Sequence, residues 1–297
     1  MIYPFFSIVI PTFNQSAALL ETVQSVLSQT FQHFEVIIVD VGSTDDKKQI
    51  ASTLMEDSRI KYFWMPNSGG PATPRNKGIE ESSAGWICFL DSDDVWYPEK
   101  LGKVYNNILE NQEVSALCNN EMIDFRIQNT KKILQYGPFS SEFYKTMLLE
   151  GNRCSTSAMT INKSFINRYL IRFNTSKRYV IVEDFDMWLR MAFYGANFLF
   201  INEVLGEYVI KDENISNNVT LSRRNEQNLL YDHVFLLQTF ELNKPKLWRK
   251  IKARMLCSYA VEDFKSKRLL MFATNILSAF FVNPFNASKW LFHKVIK

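Results

Sequence analysis

Three carboxylates fall within four residues at Asp91-Ser92-Asp93-Asp94, directly after the apolar run Trp86-Ile87-Cys88-Phe89-Leu90. Acids this close repel one another, and the edge of an apolar core gives them little water. A hard divalent cation bridging to phosphate is the simplest relief, because Mg²⁺ or Mn²⁺ takes one or two carboxylates plus phosphate oxygens. Taken alone, an Asp-x-Asp is more often a solvated Asx turn. Upstream, Asn67-Ser68-Gly69-Gly70-Pro71-Ala72-Thr73-Pro74-Arg75 supplies a glycine pair that lets backbone approach a ligand, and a guanidinium fork suited to phosphate or a base edge. A loop that only needs freedom would look the same. Downstream, Glu183-Asp184 opens a stretch with helical spacing, where acids are also ordinary partners of the helix dipole.

These groups need elements to hold them. The run 86–90 reads as a fully buried strand, and in an open parallel sheet ligands bind at the carboxyl ends of strands. Phe6 to Ile10 is a similar short strand, stopped by Pro11-Thr12-Phe13-Asn14. Asn14 is the expected N-cap of a helix carrying Leu19, Leu20, Val23, Val26 and Leu27 up to Gln29. Phe34 to Val39 is the next strand, ending in Asp40-Val41-Gly42-Ser43-Thr44-Asp45, so strand, helix and strand form a βαβ unit. A helix to about Met55 and a strand at Arg59 to Phe63 follow. Pro98-Glu99 should open a helix to about Glu110, with proline at its first position. Val114 to Cys118, Ser155 to Ile161, Asn197 to Ile201 and Leu205 to Val209 read as extended. Phe185, Trp188, Leu189 and Ala192 form one helical stripe that puts Trp188 in the core. Residues 119–150 give no readable pattern, and from about Leu221 onward the chain reads as helical.

With 297 residues, 46% hydrophobic and 22% charged, the composition is that of a globular chain with one large domain or one plus an appendage. The net charge of +3 hides an asymmetry: from Lys244 to Lys297, twelve Lys and Arg stand against Glu262 and Asp263, leaving −7 for the preceding residues. An acidic body with a basic tail suggests a partner for the tail. Cys88, Cys118, Cys154 and Cys257 form no Cys-x-x-Cys, and His33, His233 and His293 are scattered, which argues against zinc and for a reducing compartment. No signal peptide is expected at Met1 to Phe6, and no run of 18 apolar residues could span a bilayer.

Ile8-Val9-Ile10-Pro11-Thr12-Phe13-Asn14, Val39-Asp40-Val41-Gly42-Ser43-Thr44-Asp45, Ser68 to Asn76, Phe89 to Asp94 and Glu183 to Trp188 stand in one order. Together they closely resemble family 2 glycosyltransferases of the GT-A fold, over roughly residues 5–210. The resemblance implies an α/β domain with a Rossmann-like mixed sheet over 1–215, followed by a helical, basic region over 216–297. It implies a nucleotide-sugar donor lying across the strand ends. Phe13 would lie against the base, with Pro11, Thr12 and Asn14 shaping the pocket. Asp40 and Arg75 would hold the nucleoside, and Asp91, with Ser92 beside it, would touch the ribose or the metal shell. Asp93, with Asp91, would ligate Mg²⁺ or Mn²⁺, and Asp184 would be the general base with Glu183 next to it. A helix N-terminus is expected to lower the Asp184 pKa and keep it ionised.

The implied reaction is an inverting transfer from a nucleoside diphosphate to a hydroxyl of a glycan or lipid-linked acceptor, in bacterial surface polysaccharide or glycoconjugate synthesis. No nucleic-acid partner is implied. Two rival readings are a sugar-nucleotide nucleotidyltransferase and a catalytically inactive binding module at the membrane. The first usually has a basic, glycine-rich loop after its first strand, whereas Pro11-Thr12-Phe13-Asn14 has neither feature. Against the second stand the intact Asp91, Asp93 and Asp184. The chain departs from the family at Val41, where a second acid commonly accepts a hydrogen bond from uracil. Valine cannot, so either Asp40 takes that contact, or a backbone carbonyl does, or the base is not uracil; the expectation is Asp40 with a uridine donor. Leu269 to Val282, flanked by Lys265, Lys267, Arg268 and Lys289, suits a helix lying in an anionic interface, the alternative being one packed on the body or on a dimer partner. The expected location is cytoplasmic, peripheral on the inner face of the cell membrane.

Overall fold

The computed structural model describes residues 3–45, 54–126, 130–210 and 218–295. In chain order these carry β1 (Phe6–Thr12), α1 (Ser16–Leu27), β2 (Phe34–Asp40), β3 (Ile60–Trp64), α2 (Ala72–Glu81), β4 (Trp86–Phe89), β5 (Val95–Trp96) and α3 (Lys100–Glu110). Then come β6 (Ala116–Phe125), β7 (Thr130–Leu134), α4 (Phe143–Glu150), β8 (Met159–Asn162), α5 (Lys163–Arg168), α6 (Glu183–Phe193) and β9 (Phe198–Ile210). The last are α7 (Val219–Asp232), α8 (Lys244–Lys265), α9 (Leu269–Val282) and α10 (Pro284–Val295). The helix expected up to Met55 falls largely on residues 46–53, outside the described residues.

The strands form one mixed sheet in the order β3-β2-β1-β4-β8-β6-β9-β5, with β7 beside β6. β3, β2, β1 and β4 run parallel, and β8 turns the direction. Every residue of β1 and β2 is buried, as parallel strands covered on both faces must be. Thr12 pairs with Asp40, Asp40 with Trp64, and Val9 with Phe89. The carboxyl ends of the four strands therefore share one edge, from which the loops after β1, β2 and β4 leave. α1 covers the sheet with Leu19, Val23 and Val26. α2 approaches β1 so closely that a Cβ on Gly78 would lie 2.2 Å from Val9 Cγ1.

Some boundaries differ from the sequence expectation. Asn14 is not a helix N-cap: Gln15 takes that position, and Asn14 itself has φ +50°, a left-handed conformation that asparagine tolerates. Pro98 precedes α3 by one further residue, so it is not the first helical position. The two short strands expected at 197–201 and 205–209 are one strand, β9, because shifts in its register with β6 carry it past the polar Asn202-Glu203. β6 continues to Phe125, and within 155–161 only Met159 onward is strand, after a 3₁₀ turn at Thr156–Ala158.

The chain divides into two compact units, 1–141 with 153–217, and 142–152 with 218–297. α4 thus joins the C-terminal helices, although the expected division at 215/216 left it with the sheet. Within the second unit, Asp263 is fully buried on α8 and is held by Arg223 of α7 at 2.9 Å, Arg268 at 2.7 Å and Asn275 of α9 at 2.8 Å. Burial pushes its carboxyl upward, but hydrogen bonds from Arg223 and Arg268 outweigh it and hold the group below its usual range. Among the described residues no helix is long and apolar enough to cross a membrane.

Gly78→Ala tests the α2–β1 approach. Alanine favours a helix over glycine by about 1 kcal/mol, yet a Cβ against the fully buried Val9 overpacks the site, which typically costs ~1–3 kcal/mol. Urea unfolding should show net destabilisation, and Val9→Ala in the same chain should recover part of it.

Candidate active site

The first wall of the site comes from the loops after β1 and β2. Val41 N–H donates to the Thr12 carbonyl at 3.0 Å, which zips the two strand ends together. The turn at Asn14 aims its N–H at Ser43 Oγ (2.9 Å), and its Oδ1 accepts from Thr44 N–H (2.8 Å). Asp40 lies beneath, accepting from Ser43 N–H at 2.8 Å and from the Tyr62 hydroxyl. Thr12, Asp40, Ser43 and Tyr62 line a small pocket. Pro11, Thr12, Asp40 and Val41 are buried, whereas Phe13, Asn14 and Thr44 are exposed at its rim. Asp40 has one oxygen engaged by its own loop and the other by Tyr62 of β3, and the groups at the surface are Phe13, Asn14 and Thr44.

The second wall is the turn after β4. Asp94 N–H donates to the Asp91 carbonyl at 3.0 Å, closing Asp91-Ser92-Asp93-Asp94. Asp91 and Asp93 are half-buried, while Ser92 is buried and donates to Gln15 Oε1 at 2.9 Å. Asp94 points away into the protein. Its Oδ1 accepts from Val209 N–H at 2.9 Å, its Oδ2 from the Ser157 hydroxyl, and its carbonyl from Thr22 Oγ1 at 2.8 Å. Burial, together with the nearby Glu121, Asp91 and Asp93, pushes the Asp94 carboxyl well up. Of the three acids in the motif, two face the site and one anchors the loop.

Ser157 is the hub of that anchor. Its hydroxyl also accepts from Asp91 N–H (3.1 Å), and its carbonyl accepts from Lys100 Nζ (2.7 Å) and Trp96 Nε1 (2.9 Å). Lys100 is completely buried, 4.2 Å from the Trp96 ring centroid. Burial lowers its pKa to about 8 against the pull of the buried Glu121. Lys100, Glu121, Thr156 and Ser157 carry no signal as site residues in the sequence. The one clue is the run of small polar residues at 155–157, whose spacing says extended chain and nothing about what it holds.

The third wall is the start of α6, and a single side chain ties it to the second. Arg75 of α2 is buried, with Nη2 at 2.6 Å from Asp91 Oδ1 and Nη1 at 2.8 Å from Glu183 Oε1. Its guanidinium lies 5.4 Å from the Phe173 ring centroid. Phe173 packs edge-on to Phe89 (5.1 Å) and near Trp188 (6.0 Å), so Trp188 is core. Asn76 exchanges two hydrogen bonds of 2.8 Å with the Phe173 backbone, which fixes α2 to that segment. The structure therefore brings Arg75, Asp91, Glu183 and Asp184 into one charged cluster. Arg75 turns Nη2 and Nη1 to carboxylates inside it, while its buried Nε has no hydrogen-bond partner.

The two neighbouring acids of α6 differ in surroundings. Glu183 is buried, faces Arg75, and leaves Oε2 without a partner. Burial pushes its pKa up to about 7, although the Arg75 charge opposes this. Asp184 is half-buried, accepting from Thr156 Oγ1 at 3.2 Å and from Phe185 N–H at 2.6 Å. Its pKa is raised, not lowered as the helix N-terminus alone would have it: burial outweighs the Arg75 charge and the Phe185 N–H.

Asp91 and Asp93 offer hard carboxylate oxygens on one half-buried turn, and Asp91 Oδ1 is already engaged by Arg75. Among the described residues, no three His, Cys, Asp or Glu converge as a ready cage. Two carboxylates with open positions suit Mg²⁺ or Mn²⁺ completed by phosphate and water.

The raised Glu183 pKa has a stability consequence in the metal-free protein. The folded state holds this proton more tightly than the unfolded chain, whose ordinary value is 4.5, so the group's contribution is full below that pH and is lost as pH rises toward about 7. Melting temperatures of wild type and Glu183→Gln, followed from pH 4.5 to 7, should show a steeper fall for the wild type.

The family described as Glycosyl transferase family 2 matches residues 7–170 of the chain. An uncharacterized glycosyltransferase of Haemophilus influenzae is 32% identical over 192 residues, covering 63% of this chain and 71% of that protein. The glycosyltransferase TuaG of Bacillus subtilis, named for teichuronic acid biosynthesis, is 37% identical over 108 residues, which is 36% of this chain and 43% of TuaG. Among solved structures, residues 1–349 of S. aureus TarS superpose with a TM-score of 0.68 at 17% identity, covering 96% of this chain and 82% of that one. The same TarS segment has also been determined with UDP and with UDP-GlcNAc. At that identity the likeness is one of fold, whereas the family match spans more than half the sequence: this chain belongs to glycosyltransferase family 2 and has the GT-A fold.

Proposed function

We propose that this glycosyltransferase is inverting and metal-dependent, moving a sugar from a UDP-sugar to a hydroxyl of a glycan or lipid-linked acceptor in bacterial surface-polysaccharide synthesis. One observation carries the reading: Arg75 joins the acids after β4 to the acids that open α6 in one buried ion-pair cluster. Asp91 and Asp93 would hold Mg²⁺ or Mn²⁺ at the donor diphosphate, and the cation's chemistry there is to neutralise charge on the leaving phosphate. Phe13 and Asn14, exposed at the rim, would meet the nucleoside. The UDP and UDP-GlcNAc complexes of S. aureus TarS favour a uridine donor, and the relation to TuaG favours a cell-surface polysaccharide as the acceptor class.

Asp184 is the general base. Glu183, its neighbour, is turned to Arg75 and buried, which leaves it a positioning role. As the acceptor oxygen attacks the anomeric carbon, its proton passes to the Asp184 carboxylate. The bond from that carbon to the diphosphate oxygen breaks on the opposite face, and the configuration inverts. A raised pKa makes Asp184 a stronger base than a solvated aspartate, and Thr156 holds one of its oxygens.

A panel of nucleotide sugars with Mn²⁺, read by the nucleotide released, tests the donor class. UDP-sugars should be turned over, and GDP binding tighter than UDP would overturn the uridine assignment. Asp184→Asn should slow transfer by about 10²–10⁴-fold, the usual loss for a general base, while calorimetry shows donor binding intact. Asp93→Ala should instead remove the metal-dependent part of donor binding, and unchanged affinity with and without EDTA would contradict the metal role.

A further inference from the structure

The second unit carries an exposed apolar surface on α9. α9 is a helix of 14 residues, Leu269–Val282, and its outward face is apolar. Leu270 is 83% exposed, Leu277 71% and Phe281 93%, spaced seven and four apart along one side. Leu269 and Phe280 widen the strip, and Phe285 continues it as α10 begins. The opposite side of the helix is the partnered one. There Asn275 donates to the buried Asp263, Phe272 meets the Phe264 ring at 5.4 Å, and Ala279 is fully buried. This is the reverse of a surface helix, which normally turns its apolar stripe inward.

The charges around the strip say what covers it. Lys265 and Lys267 are exposed just before α9, and Lys289 is exposed on α10. The only acids between 244 and 297 are Glu262 and Asp263, and both are held by Arg223 and Arg268. The lysines therefore meet no acid of their own stretch. At about 1.5 Å per residue the helix is ~21 Å long, too short for a hydrocarbon core of about 30 Å. A helix with an apolar face and cations beside it lies in the plane of an interface, its face sunk about 5–10 Å into the headgroup and acyl boundary.

We propose that α9, with the start of α10, is a docking face for an anionic lipid surface. Leu270, Leu277, Phe280, Phe281 and Phe285 enter the interface, and Lys265, Lys267 and Lys289 meet lipid phosphates. This inference does not depend on which donor or acceptor the enzyme uses. Flotation of the full chain tests it, with vesicles of phosphatidylcholine alone and vesicles that also contain phosphatidylglycerol. The chain should float with the anionic vesicles and be released by salt. The Leu277→Ser/Phe281→Ser variant should stay at the bottom with its circular dichroism and melting unchanged, since both residues are exposed. Lys265→Gln and Lys267→Gln should each weaken partitioning by about five-fold, the worth of one cation near such a surface. No flotation, equal flotation on both vesicle types, or flotation untouched by the double serine variant would overturn the proposal. So would a dimer in analytical ultracentrifugation that the serine variant breaks, which would give the face to a second copy of the chain.

Discussion

The guanidinium of Arg75 is the constraint on which the catalytic half of this molecule turns. An arginine taken out of water costs several kcal/mol unless carboxylates answer it with good geometry. Here two do, Asp91 at the end of β4 and Glu183 at the start of α6, 108 residues from Arg75 in the chain. The pairing can form only if α2, β4 and α6 are each in place. Gly78 lets α2 lie directly on Val9 of β1, Asn76 clamps it to the Phe173 backbone, and Phe89, Phe173 and Trp188 form the aromatic floor below. The core packing therefore has a chemical product. It brings an acid from the end of β4 and an acid from the start of α6 to fixed positions about one cation.

Five acids in two short runs end with different tasks, and their surroundings sort them. Asp94 is buried against the Val209 N–H and the Ser157 hydroxyl and serves as an anchor. Glu183 is buried against Arg75 and serves as the counter-charge. Asp91, Asp93 and Asp184 are only half-buried. Beneath them Ser157 receives Lys100, Trp96 and Asp91 at once, which stiffens the turn from below. Preorganisation of this kind matters because charge that develops during the reaction then meets dipoles already fixed in position.

Much of this was legible in the sequence. The parallel half of the sheet read clearly because β1, β2 and β4 are uninterrupted apolar runs, and α6 because its stripe has helical spacing. The motifs at 11–14, 40–45 and 91–94 stand at the carboxyl ends of β1, β2 and β4. The division of labour within them was not legible, since adjacent residues such as Glu183 and Asp184 differ only in which way they face. Ser157 and Lys100 stayed hidden because a buried lysine or serine looks like a surface one until its partners are known. The joined strand β9 was missed because Asn202-Glu203 imitates a turn, and a register shift against β6 resolves it. The effect of burial on Asp184 was also beyond reach, because the helix terminus is local and desolvation is a property of the whole fold. The rival reading as a nucleotidyltransferase ends with membership in glycosyltransferase family 2.

The central claim is that one bidentate cation couples the two acidic runs, and replacing it with a point charge tests that claim most directly. Lysine keeps the charge of Arg75 but cannot fork between Asp91 and Glu183. Steady-state kinetics of Arg75→Lys, on protein shown to be folded by a cooperative melt, should give kcat lowered by about 10²-fold or more, the cost of displacing reacting groups by roughly 1 Å. A folded Arg75→Lys chain with wild-type kcat would contradict the account.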